Sequence, residues 1–333
     1  MINGNNPERF ALIDLHLHLD GSLDLSTVRE LIVMQGEACE KSDKELRERL
    51  VYSGEKRSLE DYLTKFAFPI SLLQTEEALA LAARRLCERL SADGLIYAEI
   101  RFAPQLHTER GLTQSEACAA VIRGIRESGF DAGLILCAMR GEAVSEINLE
   151  TVRVASEHLG KGVVALDLAG AEALYPTRSF QRLFAMASEL GVPYTIHAGE
   201  SLGADSVAEA IDLNPRRIGH GVRSAEDPEV LLALNSSGIA LELCPTSNLN
   251  TGLFESLSDY PIKVLLALGI KVTINSDNMT VSATSIKDEY RRVAEECELT
   301  DGELYTVLMN SIDAAFAPEE KKDKLRTIAK GLW

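Results

Sequence analysis

The chain has 333 residues, 46% hydrophobic and 26% charged, with 34 Lys and Arg against 51 Asp and Glu, a formal net charge of −17. That composition excludes wholesale disorder and a collagen-like fibre, and with no apolar stretch near the roughly 18 residues that span a bilayer it excludes a membrane bundle. A field this negative repels phosphate backbones and anionic lipid, so the expected partner is a neutral or cationic small molecule, with no nucleic acid and no membrane. The polar start, residues 1–9, has no basic-then-apolar leader pattern, and the expected compartment is the cytosol. Six cysteines (Cys39, Cys87, Cys118, Cys137, Cys244, Cys297) form no C-x-x-C pair. They read as reduced, mostly buried thiols, and a cysteine zinc site is not expected.

Taken in chain order, short apolar or alternating runs predict strands at 11–19, 95–103, 132–139, 163–169, 193–197, 217–219, 239–243 and 271–275. Helical periodicity predicts helices at 76–91, 114–128, 149–159, 179–190, 205–211, 228–236 and 261–268, then at 286–297 and 302–309 before a basic tail at 321–330. Gly94, Gly133, Gly162, Gly191, Gly238 and Gly269 fall where helices should end. Eight strands alternating with helices predict an α/β fold, a (β/α)8 TIM barrel of one domain over 1–333. The first gap is too long for one helix, so residues of about 24–91 are a helical insertion between strands 1 and 2, and the extra helices lie at the C-terminus. A doubly wound sheet is the competing architecture, but no Gly-rich turn follows the first strand. The sequence leaves the oligomeric state open.

The first strand reads Asp14-Leu15-His16-Leu17-His18-Leu19-Asp20. Strict alternation puts Asp14, His16, His18 and Asp20 on one face and three leucines on the other. Two histidines two apart can clip a metal, although an isolated H-x-H is also compatible with hydrogen-bonded core histidines. Of the four other histidines, His197 ends the fifth strand and His220 follows the sixth, while Asp277 follows the eighth. In a barrel these ends meet at the face that holds active sites. His107 and His158 read as surface residues. Three imidazoles and one carboxylate suit a single Zn²⁺ with a position left for water, whose pKa such a metal lowers to roughly 7. A second metal would need a bridging ligand, and the fourth strand has no lysine at its inner end.

The ordered set DLHLHLDGS (14–22), EIRFAP (99–104), DLAGAE (167–172), HAGE (197–200), RIGHG (217–221), CPTSN (244–248) and NSD (275–277) resembles the adenosine deaminase family of the metal-dependent amidohydrolase superfamily. The resemblance implies a (β/α)8 barrel, one zinc per chain, and hydrolytic loss of ammonia from C6 of a purine in purine salvage, with adenosine and 2′-deoxyadenosine as substrates. It implies His16, His18, His197 and Asp277 as zinc ligands. Glu200, His220 and Asp277 form the catalytic set, with Glu200 protonating purine N1 and His220 orienting and deprotonating the attacking water. The implied substrate-binding residues are His18, Asp20 near the ribose 5′-hydroxyl, the Gly170 backbone N–H at N3, Asn278 near N7, and Leu59, Tyr62 and Phe66 of a lid helix. A stripe such as Leu59, Tyr62, Leu63 and Phe66 also suits plain core packing. Three positions depart from the family: Asn278 and Ala171 stand where aspartates are usual, and Met279 where proline is. The alternatives are a deaminase of adenine or another 6-substituted purine, a two-metal cyclic amidohydrolase, and a purine-binding barrel without catalysis.

Overall fold

Eight parallel strands alternate with helices in the computed structural model, which describes residues 11–36, 38, 41–54, 57–141 and 145–333. The strands are β1 (Leu12–His18), β2 (Leu95–Phe102), β3 (Ala132–Met139), β4 (Val163–Ala169), β5 (Thr195–Ala198), β6 (Arg217–His220), β7 (Ala240–Leu243) and β8 (Val272–Ile274). They form the runs β1-β2-β3-β4 and β5-β6-β7-β8. Parallel bridges Leu166↔Tyr194 and Leu17↔Asp277 close the two runs into a barrel. The eight strands match the predicted ones, and the polar start and Cys39 lie outside the described residues.

Between β1 and β2 lie α1 (Leu25–Met34), α2 (Asp43–Leu50), α3 (Leu59–Leu63), α4 (Ala67–Leu72) and α5 (Glu76–Ala92), the expected helical insertion. Then come α6 (Gln114–Ser128), α7 (Glu146–His158), α8 (Gln181–Glu189), α9 (Ala204–Asp212), α10 (Pro228–Ser237), α11 (Pro245–Asn250) and α12 (Ile262–Ala267). The chain ends with α13 (Ile286–Glu296), α14 (Asp301–Ala314) and α15 (Glu319–Leu332). Helix α7 begins three residues before the predicted start because the Ser145 side chain caps it, accepting from the Asn148 N–H. The basic tail is part of α15, where Arg326 pairs with Asp313, Glu319 and Asp323. Gly129, at φ +71, ends α6, whereas Gly133 lies inside β3 and is not a helix end. No described helix is long and apolar enough to cross a membrane.

The barrel is closed at its N-terminal mouth by the C-terminal helices. Ile13, Leu15 and Tyr97 join Leu308, Ile312, Ala315, Leu325 and Ala329 in one apolar cluster. Phe316 packs with Ile135 and Ala165 beside it. Strict alternation fails in β1. Asp14 pairs with Ala98 and His18 with Arg101, so four steps of β1 run beside three of β2. This irregularity turns Asp14 and His18 to opposite faces. The Asp14 carboxylate accepts from the Ser276 N–H and hydroxyl, while Leu15 joins the inner apolar cluster rather than the helix layer. His107 is likewise not on the surface. It is buried, its Nδ1 is 2.9 Å from the Leu73 carbonyl, and burial lowers its pKa to about 4. His158 is half-buried, with Nε2 2.9 Å from the Ser115 hydroxyl.

Candidate active site

Just beyond the C-terminal ends of the strands lies a cavity of about 350 Å³. His18, Asp20, Leu59, Tyr62, Phe66, Gly170, His197, Glu200, Asp277 and Asn278 all line it. The backbone at two strand ends is unusual: His220 and Asp277 adopt left-handed φ of +58° and +59°. Non-glycine residues persist there only when their surroundings hold them, and such positions cluster at functional sites.

Below the cavity floor, His16, His18 and His197 place ring nitrogens within 4.8 Å of one another. The Asp277 Oδ1 lies 3.5 Å from His16 Nε2 and 3.4 Å from His18 Nε2. His16 Nδ1 meets Glu242 Oε2 at 2.8 Å and His197 Nδ1 meets Asp167 Oδ2 at 3.0 Å. A carboxylate at Nδ1 keeps the proton on that nitrogen and turns the Nε2 lone pair toward the cluster. The fit to a metal ion is visible in an orphan: His16 Nε2 is buried without a hydrogen-bond partner. A buried nitrogen lone pair left so is costly, and a cation would satisfy it. Burial alone would raise the Asp277 pKa, but the neighbouring imidazoles of His16, His18 and His220 hold it well below the usual range. Cys244 also lies within reach of His16, His220 and Asp277. Its thiol donates to the Glu242 carbonyl, and burial raises its pKa well above the ordinary value, so it stays a neutral thiol.

Deeper still is a fully buried ionic layer. Arg101 pairs with Asp167 at 2.8 Å and Glu242 at 2.9 Å, and Arg217 with Glu99 at 2.6 Å and Glu242 at 2.5 Å. Two cations against three anions leave this layer net negative beneath the imidazoles, which favours a cation above it.

Glu200 lines the same cavity, with Oε1 3.6 Å from His220 Nε2. Burial pushes its pKa up to about 8, so the carboxyl keeps its proton at neutral pH. Its loop is held by Glu172, whose buried carboxylate accepts from the backbone N–H groups of Gly199, Glu200, Ser201 and Leu202. Arg140 bonds the His197 carbonyl at 2.5 Å and the Thr177 hydroxyl at 2.9 Å. Burial raises the Asp20 pKa to about 6. A Cβ on Gly21 would stand 1.8 Å from Asn278 Oδ1, so only glycine lets these two segments meet. Asn278 Nδ2 donates to Asp277 Oδ1 at 2.7 Å, and its Oδ1 is buried without a partner. On α3, Tyr62 is buried, with its hydroxyl 2.8 Å from Ser282 Oγ.

The structure lines the cavity with ten of the twelve expected residues and groups the other two, His16 and His220, with Asp277. Sequence reasoning missed Glu242, Asp167, Glu172, Arg140 and Asn248, which hydrogen-bond the side chains or backbone of those residues. Asp167 and Glu172 sit in the matched run DLAGAE and Asn248 in CPTSN, so a signal was present for those three. Nothing local in the sequence marks Glu242 or Arg140.

A closed barrel with a largely apolar cavity at its C-terminal face and an imidazole–carboxylate cluster at that cavity defines an amidohydrolase-type barrel. The profile of the family described as adenosine deaminase matches residues 11–330. An adenosine deaminase of Haemophilus ducreyi is 46% identical, over 95% of each chain, and one of Enterococcus faecalis 38% identical, over 93% of each. Among solved structures, an adenine deaminase from Arthrobacter aurescens superposes with a TM-score of 0.85 at 29% identity, covering 97% of this chain and 98% of that one. An Arabidopsis N6-mAMP deaminase superposes with a TM-score of 0.86 at 26% identity, covering 98% of this chain and 99% of its own. The chain belongs to the adenosine deaminase family.

Proposed function

We propose that this chain hydrolyses adenosine and 2′-deoxyadenosine to the corresponding inosines and ammonia, with one Zn²⁺ held by His16, His18, His197 and Asp277. The observation that carries the reading is the buried Glu200 carboxyl, in the same cavity as His18, His197 and Asp277 and 3.6 Å from His220, where burial raises its pKa. Three neutral imidazoles with one carboxylate suit Zn²⁺ and leave a position for water. When bound, the metal supplies the Lewis acidity that acidifies that water.

The remaining chemistry belongs to the side chains. Glu200 gives its proton to purine N1, which makes C6 electron-poor. His220, across from Glu200, orients the attacking water. As the oxygen adds to C6 and the amine departs, the water's two protons finish on ammonia and on Glu200, which is restored. The Gly170 N–H binds N3, and the Asn278 amide donates to N7. Leu59, Tyr62 and Phe66 cover the purine and exclude water.

Asp20 supports a nucleoside over a free base or a nucleotide. Its buried carboxylate accepts from the 5′-hydroxyl, adenine leaves it unpaired, and AMP brings a like charge beside it. Ultraviolet assays with adenosine, deoxyadenosine, adenine and AMP, with metal analysis of the same sample, test the reading. One zinc equivalent per chain and a kcat/KM far higher for adenosine are expected. Equal or greater kcat/KM on adenine overturns the substrate assignment, and two metal equivalents in active protein overturn the single-metal site.

A further inference from the structure

His220 ends β6 with its ring buried. Its Nε2 has no hydrogen-bond partner and lies on the Glu200 side of the ring. Its Nδ1 is 3.1 Å from Asn248 Nδ2. Asn248, buried on α11, places its Oδ1 2.9 Å from the hydroxyl of Tyr260, which is buried too. Either end of an amide can face an imidazole nitrogen, so the direction of this chain has to come from its far end.

Tyr260 sets that direction. Among the described residues, Asn248 is the hydrogen-bond partner of its hydroxyl. If the hydroxyl accepted from the Asn248 amide, the phenolic proton would be buried with no acceptor, which is the costly arrangement. The phenol therefore donates to Asn248 Oδ1, and the Asn248 NH2 donates to His220 Nδ1. A neutral imidazole that accepts at Nδ1 carries its one proton on Nε2.

We propose that Asn248 and Tyr260 are positioning residues that hold neutral His220 in its Nε2–H form, so that the ring donates a hydrogen bond into the site. In this form Nε2 has no lone pair for the water's proton. That proton goes instead to the Glu200 carboxylate, free once its own proton has passed to N1, while His220 keeps its own. This kinetic consequence rests on the deaminase reading. The tautomer itself does not.

The test uses the metal-loaded chain with ¹⁵N-labelled histidine, without substrate, because ¹⁵N shifts tell protonated from unprotonated ring nitrogens. The unaltered protein should show His220 protonated at Nε2 and not at Nδ1. Asn248→Asp offers Nδ1 only an acceptor, so Nδ1 should become protonated. Tyr260→Phe removes one hydroxyl and frees the amide to turn, so both tautomers should appear. With adenosine, Asn248→Asp should lower kcat by about 10- to 100-fold and leave KM within about threefold, with zinc content unchanged. Protonation at Nδ1 in the unaltered protein, or an unaltered kcat in Asn248→Asp, overturns the proposal. An unmixed Nε2–H signal in Tyr260→Phe overturns the part assigned to Tyr260. Failure of the unaltered protein to turn over adenosine refutes the deaminase reading alone, and the spectra still decide the tautomer.

Discussion

Glu200 reacts as an acid only while it holds a proton, and burial raises its pKa from 4.5 to about 8. An acid with a raised pKa is protonated below that value, so kcat/KM should hold through neutral pH and fall as pH rises through about 8. Glu200→Gln should keep the metal and the fold, because its loop is held by Glu172 and not by its own side chain. Its kcat should drop by about 10²–10⁴, since an amide cannot protonate N1. A pH–rate profile with metal analysis checks both, and near-normal turnover in the variant refutes the assignment. Asn278 is the clearest departure from the family at this scale. A hydrogen bond from its amide to N7 is worth roughly 0.5–1.5 kcal/mol, so 7-deaza-adenosine should lose about 2- to 13-fold in kcat/KM. Asn278→Leu should remove that difference. Equal rates for the two nucleosides in the unaltered protein would mean that Asn278 does not read the purine.

At the scale of elements, the loop after β5 shows how the Glu200 side chain is placed without regular structure around it. Four successive backbone N–H groups, from Gly199 to Leu202, point at one carboxylate, Glu172, which arrives from the loop after β4. The hydroxyls of Ser201 and Ser206 complete the cradle. Charge-assisted bonds are the stronger kind, and a glutamine there would aim an NH2 at donors. Glu172→Gln should therefore destabilise the protein by about 1–3 kcal/mol and lower kcat as the Glu200 carboxyl loses its fixed position. Denaturant unfolding with steady-state kinetics measures both. An unchanged midpoint and an unchanged kcat together would show that the cradle is not needed.

Over the whole molecule, the apolar seal at one mouth of the barrel and the cavity at the other are separated by the ionic layer of Glu99, Arg101, Asp167, Arg217 and Glu242. Arg217 links the two ends. It pairs with Glu99 and Glu242, donates to the Ala314 carbonyl at 2.9 Å and lies 4.0 Å over the Phe316 ring. Removing one member of a buried ion network strands the other charges, at a cost of about 3–5 kcal/mol. Arg217→Met should lower stability by that amount, read by denaturant unfolding, although the residue does not line the cavity. A loss below 1 kcal/mol would show that the layer does not act as a unit.

What could be read from the chain alone was local and periodic. Strand and helix patterns repeat every two or 3.6 residues, so eight strands and their order were legible, as was the long insertion after β1. Strand-end histidines and Asp277 were legible because a barrel sends all such ends to one face. The resemblance of seven short runs added the roles of Glu200, Asp20 and Gly170. Tertiary structure alone decided the rest, because the deciding partners are far apart in sequence. The irregular register between β1 and β2 turned Asp14 away from the histidines, and no alternation rule contains the neighbouring strand. His107 is buried by segments outside its own, with its Nδ1 against the Leu73 carbonyl. Glu242 reaches His16 across 226 residues and Asn248 reaches His220 across 28. Which nitrogen of each ring carries the proton depends on those partners, and a sequence does not state what its side chains will meet.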